Sequence, residues 1–99
     1  MAEAHDAPRR ADAIRGCVFA NDMEGAIRLM LDFAQQFAGA QHADEVVLLS
    51  RDLREVDELQ RREEVAALDA RKERRKIAQN LLDLLRLLLE RLQQEMAHV

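Results

Sequence analysis

The sequence predicts an all-α protein, and three observations support this expectation. Residues that favour helices, chiefly Ala, Leu, Glu, Arg and Gln, dominate the 99-residue chain. Only 3 glycines and 1 proline interrupt it, so turns should be few and helices long. Apolar residues recur at helical spacing along four segments. We therefore expect a single domain at residues 8–97, after a disordered N-terminus at residues 1–7. Its fold would be an antiparallel helical bundle of four helices, at about 8–20, 22–38, 43–62 and 65–96.

Residues that begin or end helices define the first two predicted helices. Asp6 followed by Pro8 favours a helix start, because proline is tolerated in the first turn. Asn21 with Glu24 three residues later is similar to a capping box, which would begin the second helix. Gly39 lies where a left-handed residue would end that helix. The short connection between the two helices favours an antiparallel hairpin.

The third helix carries a clear apolar stripe, but its end is ambiguous. Its stripe consists of Val46, Leu49, Leu53, Val56 and Leu59. The segment Gln60–Glu64 that follows contains no apolar residue, and also no Gly or Pro. Either the chain turns near Glu63–Ala66, or one helix continues from Asp44 to the C-terminus. A continuous helix would exceed ~50 residues, far above the usual length. We favour the turn, because it lets the last helix fold back onto the third.

The last helix is unusually rich in leucine. Eight of the twelve residues in the segment Leu81–Leu92 are leucine. On a helical wheel most of them form one stripe about 160° wide, and only Leu87 stands clearly apart. Leu82 and Leu89 lie toward the margins of this arc. We expect Leu82, Leu87 and Leu89 to contact a partner or a second copy; the alternative is that all three pack inside the bundle.

Charge and composition argue against several classes of protein. The net charge is −4, and the basic cluster Arg71–Lys76 has no interleaved aromatic residue, so nucleic-acid binding is not expected. That cluster is typical of a solvated helix face with ion pairs. Charged residues interrupt the leucine run, so no membrane span is expected. The N-terminus lacks an apolar signal core, and Cys17 is the only cysteine, which fits a reducing, cytoplasmic location.

The sequence contains no recognisable catalytic or metal-binding pattern. The histidines His5, His42 and His98 are far apart, at the termini or in a predicted loop, and none has metal-ligand spacing. Glycine motifs that bind phosphates are absent. Cys17 lies on an apolar helical stripe, as a small core residue would. We therefore expect no enzyme activity, no metal and no cofactor.

Three segments together resemble a known family. They are Ile14–Met30, Val47–Val56 with its Leu-Leu-Ser-Arg sequence, and Arg75–Leu85, in which a basic-Ile segment runs into Leu-Leu-x-Leu-Leu. In order and spacing they are similar to the effector-associated domains, small helical domains of bacterial conflict systems. The family usually has a Gly and a capping Ser or Thr between helices three and four, where this chain has Arg62–Ala66.

The resemblance implies a non-catalytic adaptor. Such a domain would couple a sensor or scaffold to an effector by contacts between similar helical domains, in the manner of death-fold domains. Its partner would carry a similar helical domain or be the effector itself. Ser50 and Arg51 match the motif, and Arg51 is a candidate partner contact; alternatively it forms a surface ion pair with Asp52 or Glu55. The competing hypothesis is a structural homo-oligomer without a dedicated effector, formed through the long fourth helix.

Overall fold

The four predicted helices form and pack into one bundle. The computed structural model describes residues 6–37, 39–63 and 66–97. Within these ranges the elements are α1 (Ala7–Phe19), α2 (Met23–Phe37), α3 (Ala40–Arg61) and α4 (Ala67–Ala97), with no strand. Each helix packs on the next, and α4 also packs against α1 and α2. The predicted all-α bundle of four helices is therefore confirmed.

All four helices contribute to the core. Phe33 of α2 is fully buried and contacts Phe37, with ring centroids 5.0 Å apart and planes tilted by 53°. Leu81, Leu85 and Leu88 of α4 are also fully or almost fully buried. The leucine stripe of the last helix is thus mainly a core surface, covered by several helices rather than by one.

Two helices begin earlier than the sequence suggested. α1 begins at Ala7, which is buried, although we placed this residue in the N-terminal segment 1–7. Residues 1–5 of that segment lie outside the described residues. α3 begins at Ala40 rather than near residue 43. As a result His42, expected in a loop, lies in the first turn of α3 and is buried.

The corner between α1 and α2 is closed by backbone hydrogen bonds. Asn21 has a φ of 62°, and its N–H donates to the Val18 carbonyl at 3.1 Å. The N–H of Asp22 donates to the Cys17 carbonyl at 2.8 Å, which completes a Schellman motif. The Asp22 carboxylate then accepts from the N–H of Gly25 at 3.0 Å and caps α2. Our expectation that Asn21 caps α2 was wrong: Asn21 takes the left-handed position, which asparagine tolerates, and Asp22 is the cap.

The reversal between α3 and α4 is made without glycine or proline. α3 ends at Arg61, and Glu63 adopts a left-handed conformation with a φ of 60°. The N–H of Glu63 donates to the Gln60 carbonyl at 3.1 Å. α4 then begins at Ala67, while residues 64 and 65 lie outside the described residues. The continuous-helix alternative is therefore excluded, and the predicted turn is present.

Two cross-helix contacts fix the register of α3 against α4. Arg74 donates from Nε to the Asp57 carboxylate at 3.2 Å, near one end of the pair. Arg91 donates from Nη1 to His42 Nε2 at 2.7 Å, near the other end. The residue numbers rise along α3 as they fall along α4, so the two helices are antiparallel.

Substituting Glu63 by glycine should stabilise the protein. A left-handed residue with a Cβ costs about 1–2 kcal/mol, which glycine avoids, whereas the greater freedom of glycine in the unfolded chain cancels roughly 0.5–1 kcal/mol of that gain. We expect Glu63→Gly to raise the free energy of unfolding by about 0.5–1 kcal/mol in urea denaturation followed by circular dichroism. Arg62→Gly is the matched control, because Arg62 has an ordinary φ of −83°. It should lower stability; a loss in Glu63→Gly of the same size would contradict the strain argument.

Candidate interaction surfaces

The three candidate leucines of α4 differ in accessibility. Leu87 is 47% exposed, whereas Leu82 and Leu89 are only half-buried. Leu89 also packs against the core. Their positions follow from the helical wheel, on which Leu87 stands apart from the stripe that the other helices cover. Of the three, Leu87 therefore offers the most surface to a partner.

The outward side of α3 combines leucine with unpaired carboxylates. Asp44, Leu48, Asp52 and Glu55 recur at steps of four, four and three, so they share one side of the helix, which we call the acidic face. All four are exposed, and Leu48 is 55% exposed. In the described part of the chain none of these carboxylates forms a salt bridge.

Arg51 is exposed on the same outward side of α3. Among the described residues it has no carboxylate within salt-bridge distance, so the expected pairing with Asp52 or Glu55 is not observed. Its neighbour in the sequence motif, Ser50, is half-buried and lines a groove between α2 and α3. The guanidinium of Arg51 is thus available to a ligand or partner.

Near the other end of α3, His42 is buried beneath a charged side chain. It accepts a hydrogen bond from Arg91 at Nε2, so in the neutral ring the proton lies on Nδ1. This Nδ1 is buried and has no hydrogen-bond partner among the described residues. The carboxylate of Glu45 lies 3.7 Å away from it, beyond ordinary hydrogen-bond distance. This arrangement ties α3 to α4, which is a structural role.

A second surface lies at the end of the bundle where α1 meets α2 and α3 meets α4. Here a shallow cavity of about 370 Å³ is open to solvent. We call it the basic pocket, because three of its described lining residues are Arg71, Arg74 and Arg75 and none is acidic. The remaining lining residues are Val18, Asn21, Met23, Gln60, Ala67 and Ala78.

The three arginines of the basic pocket have different roles. Arg74 is half-buried and bound to Asp57 of α3 through both Nε and Nη2, so its charge is largely satisfied. Arg71 and Arg75 are exposed, and neither forms a salt bridge with another described residue. Two guanidinium groups one helical turn apart are therefore free to bind an anion or a carboxylate.

The basic cluster predicted as a solvated helix face is divided between two sides of α4. Arg71, Arg74 and Arg75 line the pocket, whereas Lys76 is turned away from it and pairs with Glu73 at 3.3 Å. The sequence suggested ion pairs at i,i+4 spacing, whereas Lys76 pairs at i,i+3 spacing. The sequence did not reveal the pocket, because its walls come from the α1–α2 corner and the end of α3 as well as from α4.

Two large apolar residues that are next in sequence to lining residues of the basic pocket are exposed. Phe19, adjacent to the lining residue Val18, is 87% exposed. Leu68, adjacent to the lining residue Ala67, is 61% exposed. Sequence reasoning did not single out either residue, although both lie off the apolar stripes of their helices. Exposed apolar groups beside unpaired charges are typical of protein interfaces.

The described residues show no arrangement suited to a metal site or a membrane span. None of their His, Cys, Asp and Glu side chains cluster in groups of three or more that could hold a metal ion. None of the described helices is long and apolar enough to cross a membrane. Cys17 is half-buried against the core, as expected for a small packing residue.

Comparison with known families identifies the class of this domain. The sequence model of the family described as effector-associated domain 11 matches residues 9–88, which include nearly all of α1, all of α2 and α3, and most of α4. The chain belongs to the effector-associated domain 11 family. The predicted membership of the effector-associated domains is thereby confirmed. Comparison with curated proteins and with solved structures found no match.

The match includes both surfaces of this effector-associated domain. The acidic face and the basic pocket lie within residues 9–88, as do Arg51, Leu82 and Leu87. Leu89 lies immediately beyond the matched segment. The family assignment therefore covers the candidate contact residues that are exposed.

Alanine substitutions in α4 of this effector-associated domain should distinguish a buried leucine from an exposed one by their effects on stability. Leu85 is fully buried, so Leu85→Ala should lower the free energy of unfolding by about 2–5 kcal/mol. Leu87→Ala should change the free energy of unfolding by less than about 1 kcal/mol, because truncating this exposed side chain leaves no cavity in the core. Urea denaturation of both variants would measure this difference. Equal losses would show that Leu87 belongs to the core.

Proposed function

We propose that this effector-associated domain is a non-catalytic adaptor that couples a sensor or scaffold to an effector in a bacterial conflict or immunity system. It would act in the cytoplasm, through contacts between similar helical domains. The family match over residues 9–88 supports the association with effectors. We expect no enzyme activity, no cofactor and no nucleic-acid binding.

The exposed leucines on the outer sides of α3 and α4 are the observation that carries this proposal. By the register set at Asp57–Arg74 and His42–Arg91, Leu87 is at about the same level along the bundle as Glu45, and Leu48 is about one turn away along α3. Both leucines are about half exposed and contribute little to the core. Covering them with a partner would remove apolar surface from water, which favours association.

The proposed contact residues differ in how much of each side chain is exposed to a partner. Leu87 and Arg51 would touch the partner directly, since both are exposed. Leu82 and Leu89 would contribute only their outer edges, because each is half-buried. Arginine and large apolar residues at the centre of an interface often supply most of its binding energy.

The second candidate function is a homo-oligomeric structural protein without a dedicated effector. The same exposed leucines favour it, because they would serve self-association as well as binding to another protein. The two functions differ in whether a different protein binds. A two-hybrid assay of the chain against itself and against each protein encoded beside its gene would distinguish them. Self-association alone would favour the structural protein.

Replacing Leu87 by aspartate should abolish association without unfolding the domain. A charge at the centre of an apolar contact must be desolvated without a partner, which costs several kcal/mol. Because Leu87 is half exposed in the free domain, helicity and melting temperature should change little. Circular dichroism and the two-hybrid assay would measure the two effects.

Leu29→Asp is the matched control for this variant. Leu29 is also an exposed leucine, but it lies on α2 and not on α3 or α4, which carry the proposed contact residues. Leu29→Asp should associate in the two-hybrid assay like the unmodified chain. Loss of association in both variants, or unfolding of Leu87→Asp, would count against a contact at Leu87.

A further inference from the structure

Arg71 and Arg75 of the basic pocket carry charge that their own helix leaves unneutralised. On α4, Lys76 and Arg86 each lie within salt-bridge distance of a carboxylate three residues earlier in the chain. None of the residues three or four positions before or after Arg71 or Arg75 is acidic. The two arginines are themselves four residues apart, and like charges at this spacing repel each other. Carboxylates supplied by another molecule would remove this repulsion.

The carboxylates near the two arginines are turned away from the pocket or already bound. Asp69 and Glu73 of α4 are each two residues from Arg71, which places them about 160° around the helix from it. Asp57 of α3 is bound by Arg74 through Nε and Nη2. The pocket side of α4 is therefore basic, and no acidic residue is among its described lining residues.

Exposed apolar surface accompanies the two guanidinium groups. Leu68 is 61% exposed and lies three residues before Arg71, so the two residues are neighbours on the helix surface. Leu68, Arg71 and Arg75 thus form a series with one residue per turn, about 10 Å long. Val18 and Met23 add apolar surface to the lining of the pocket. The surface therefore offers two cations beside apolar residues.

The shape and charge of the pocket favour a short acidic segment over other anions. A small-molecule site usually encloses most of its ligand, whereas this cavity is shallow and open to solvent. A nucleic acid needs a continuous basic surface, whereas the pocket has two free guanidinium groups on a chain of net charge −4. A short segment with two carboxylates matches the number of free cations.

The acidic face of α3 from a second copy would fit this pocket poorly. Arg51 is exposed on the same side of α3, three residues after Leu48 and four before Glu55. Docking this side of α3 in the pocket would bring Arg51 close to Arg71, where two guanidinium groups repel each other. Two copies would also each carry a net charge of −4. The charges therefore favour a different protein as the occupant.

We propose that the basic pocket binds an acidic helical segment of a different protein. In this segment an apolar residue and two carboxylates recur at steps of three and four, which matches Leu68, Arg71 and Arg75. Each guanidinium would form charge-assisted hydrogen bonds with one carboxylate, and the apolar residue would cover Leu68. Such a protein would be one of the two that the proposed adaptor connects, so the assignment rests on that function.

The pocket and the exposed leucine of α4 are far enough apart to be occupied together. Leu87 is twelve residues after Arg75, and this is about 18 Å along α4 and about 120° around it. A helix that covers Leu87 need not overlap one that binds in the pocket. An adaptor needs such an arrangement, because it must hold two proteins at once.

Titration of the full chain with a defined peptide tests this assignment. The probe is a synthetic helical peptide with one leucine and two glutamates at steps of three and four, in an alanine and glutamine background. At low salt the amide NMR signals of the residues that line the pocket should shift, and the affinity should fall as salt is added. The pocket variant, Arg71→Glu with Arg75→Glu, should bind about tenfold more weakly or worse, because like charges then face each other.

A matched variant and two matched peptides control for charge alone. Lys76→Glu with Arg86→Glu has the same net charge as the pocket variant but changes exposed residues outside the pocket, so it should bind the peptide like the unmodified chain. A rearranged peptide, with its glutamates two residues apart and so on opposite sides of the helix, should bind about tenfold more weakly. A peptide with lysines in place of the glutamates should bind the pocket variant more tightly than the control variant. Both variants should keep their helical circular dichroism signal, because every substituted residue is exposed.

Four results of the titration would overturn the assignment. They are the absence of any shift at the pocket with millimolar peptide, undiminished affinity of the pocket variant, equal binding of the rearranged peptide, and tighter binding of inorganic phosphate or a single-stranded oligonucleotide. Self-association of the chain that is lost in the pocket variant would also overturn it, since a second copy would then be the occupant.

The adaptor proposal is tested separately. Leu87 is not among the lining residues of the pocket, so Leu87→Asp should bind the peptide like the unmodified chain. Failure of the peptide to bind would leave the two-hybrid result for Leu87→Asp, and with it the adaptor proposal, unaffected.

Discussion

The whole structure depends on covering the leucine stripe of α4. Leu81, Leu85 and Leu88 are buried only because the chain reverses after α3 and lays α4 against the other three helices. Each buried leucine contributes about 1.5–3 kcal/mol, whereas the left-handed conformation of Glu63 costs about 1–2 kcal/mol. Burial of several leucines thus outweighs the strain at one residue, which explains how a segment without glycine or proline still forms the turn.

The helices and their apolar sides could be predicted from the sequence, because helical periodicity is a local property that survives packing. The helix ends were harder. Asn21 and Asp22 are both good capping residues, and only the backbone conformation decides which one takes the left-handed position and which one caps α2. His42 was assigned to a loop because the residues before it contain no strong start signal, yet α3 begins at Ala40.

The candidate surfaces could be predicted only in part. Leu87 stood apart on the helical wheel, and the structure places it at the surface. The basic pocket could not be found in this way, because Asn21, Gln60 and Arg71 come together only when three separate segments meet. The sequence does contain the charges and their spacing, yet it cannot say which side of α4 faces a cavity and which faces open water.

The path of the chain places its two outer helix ends on the same side of the molecule. Arg10, near the start of α1, contacts Phe37 at the end of α2, and Phe37 lies beside Leu92 near the end of α4. The basic pocket opens at the opposite side, around the α1–α2 corner. A reporter domain joined at the outer end of α1 or of α4 would therefore begin on the side of the molecule opposite the pocket.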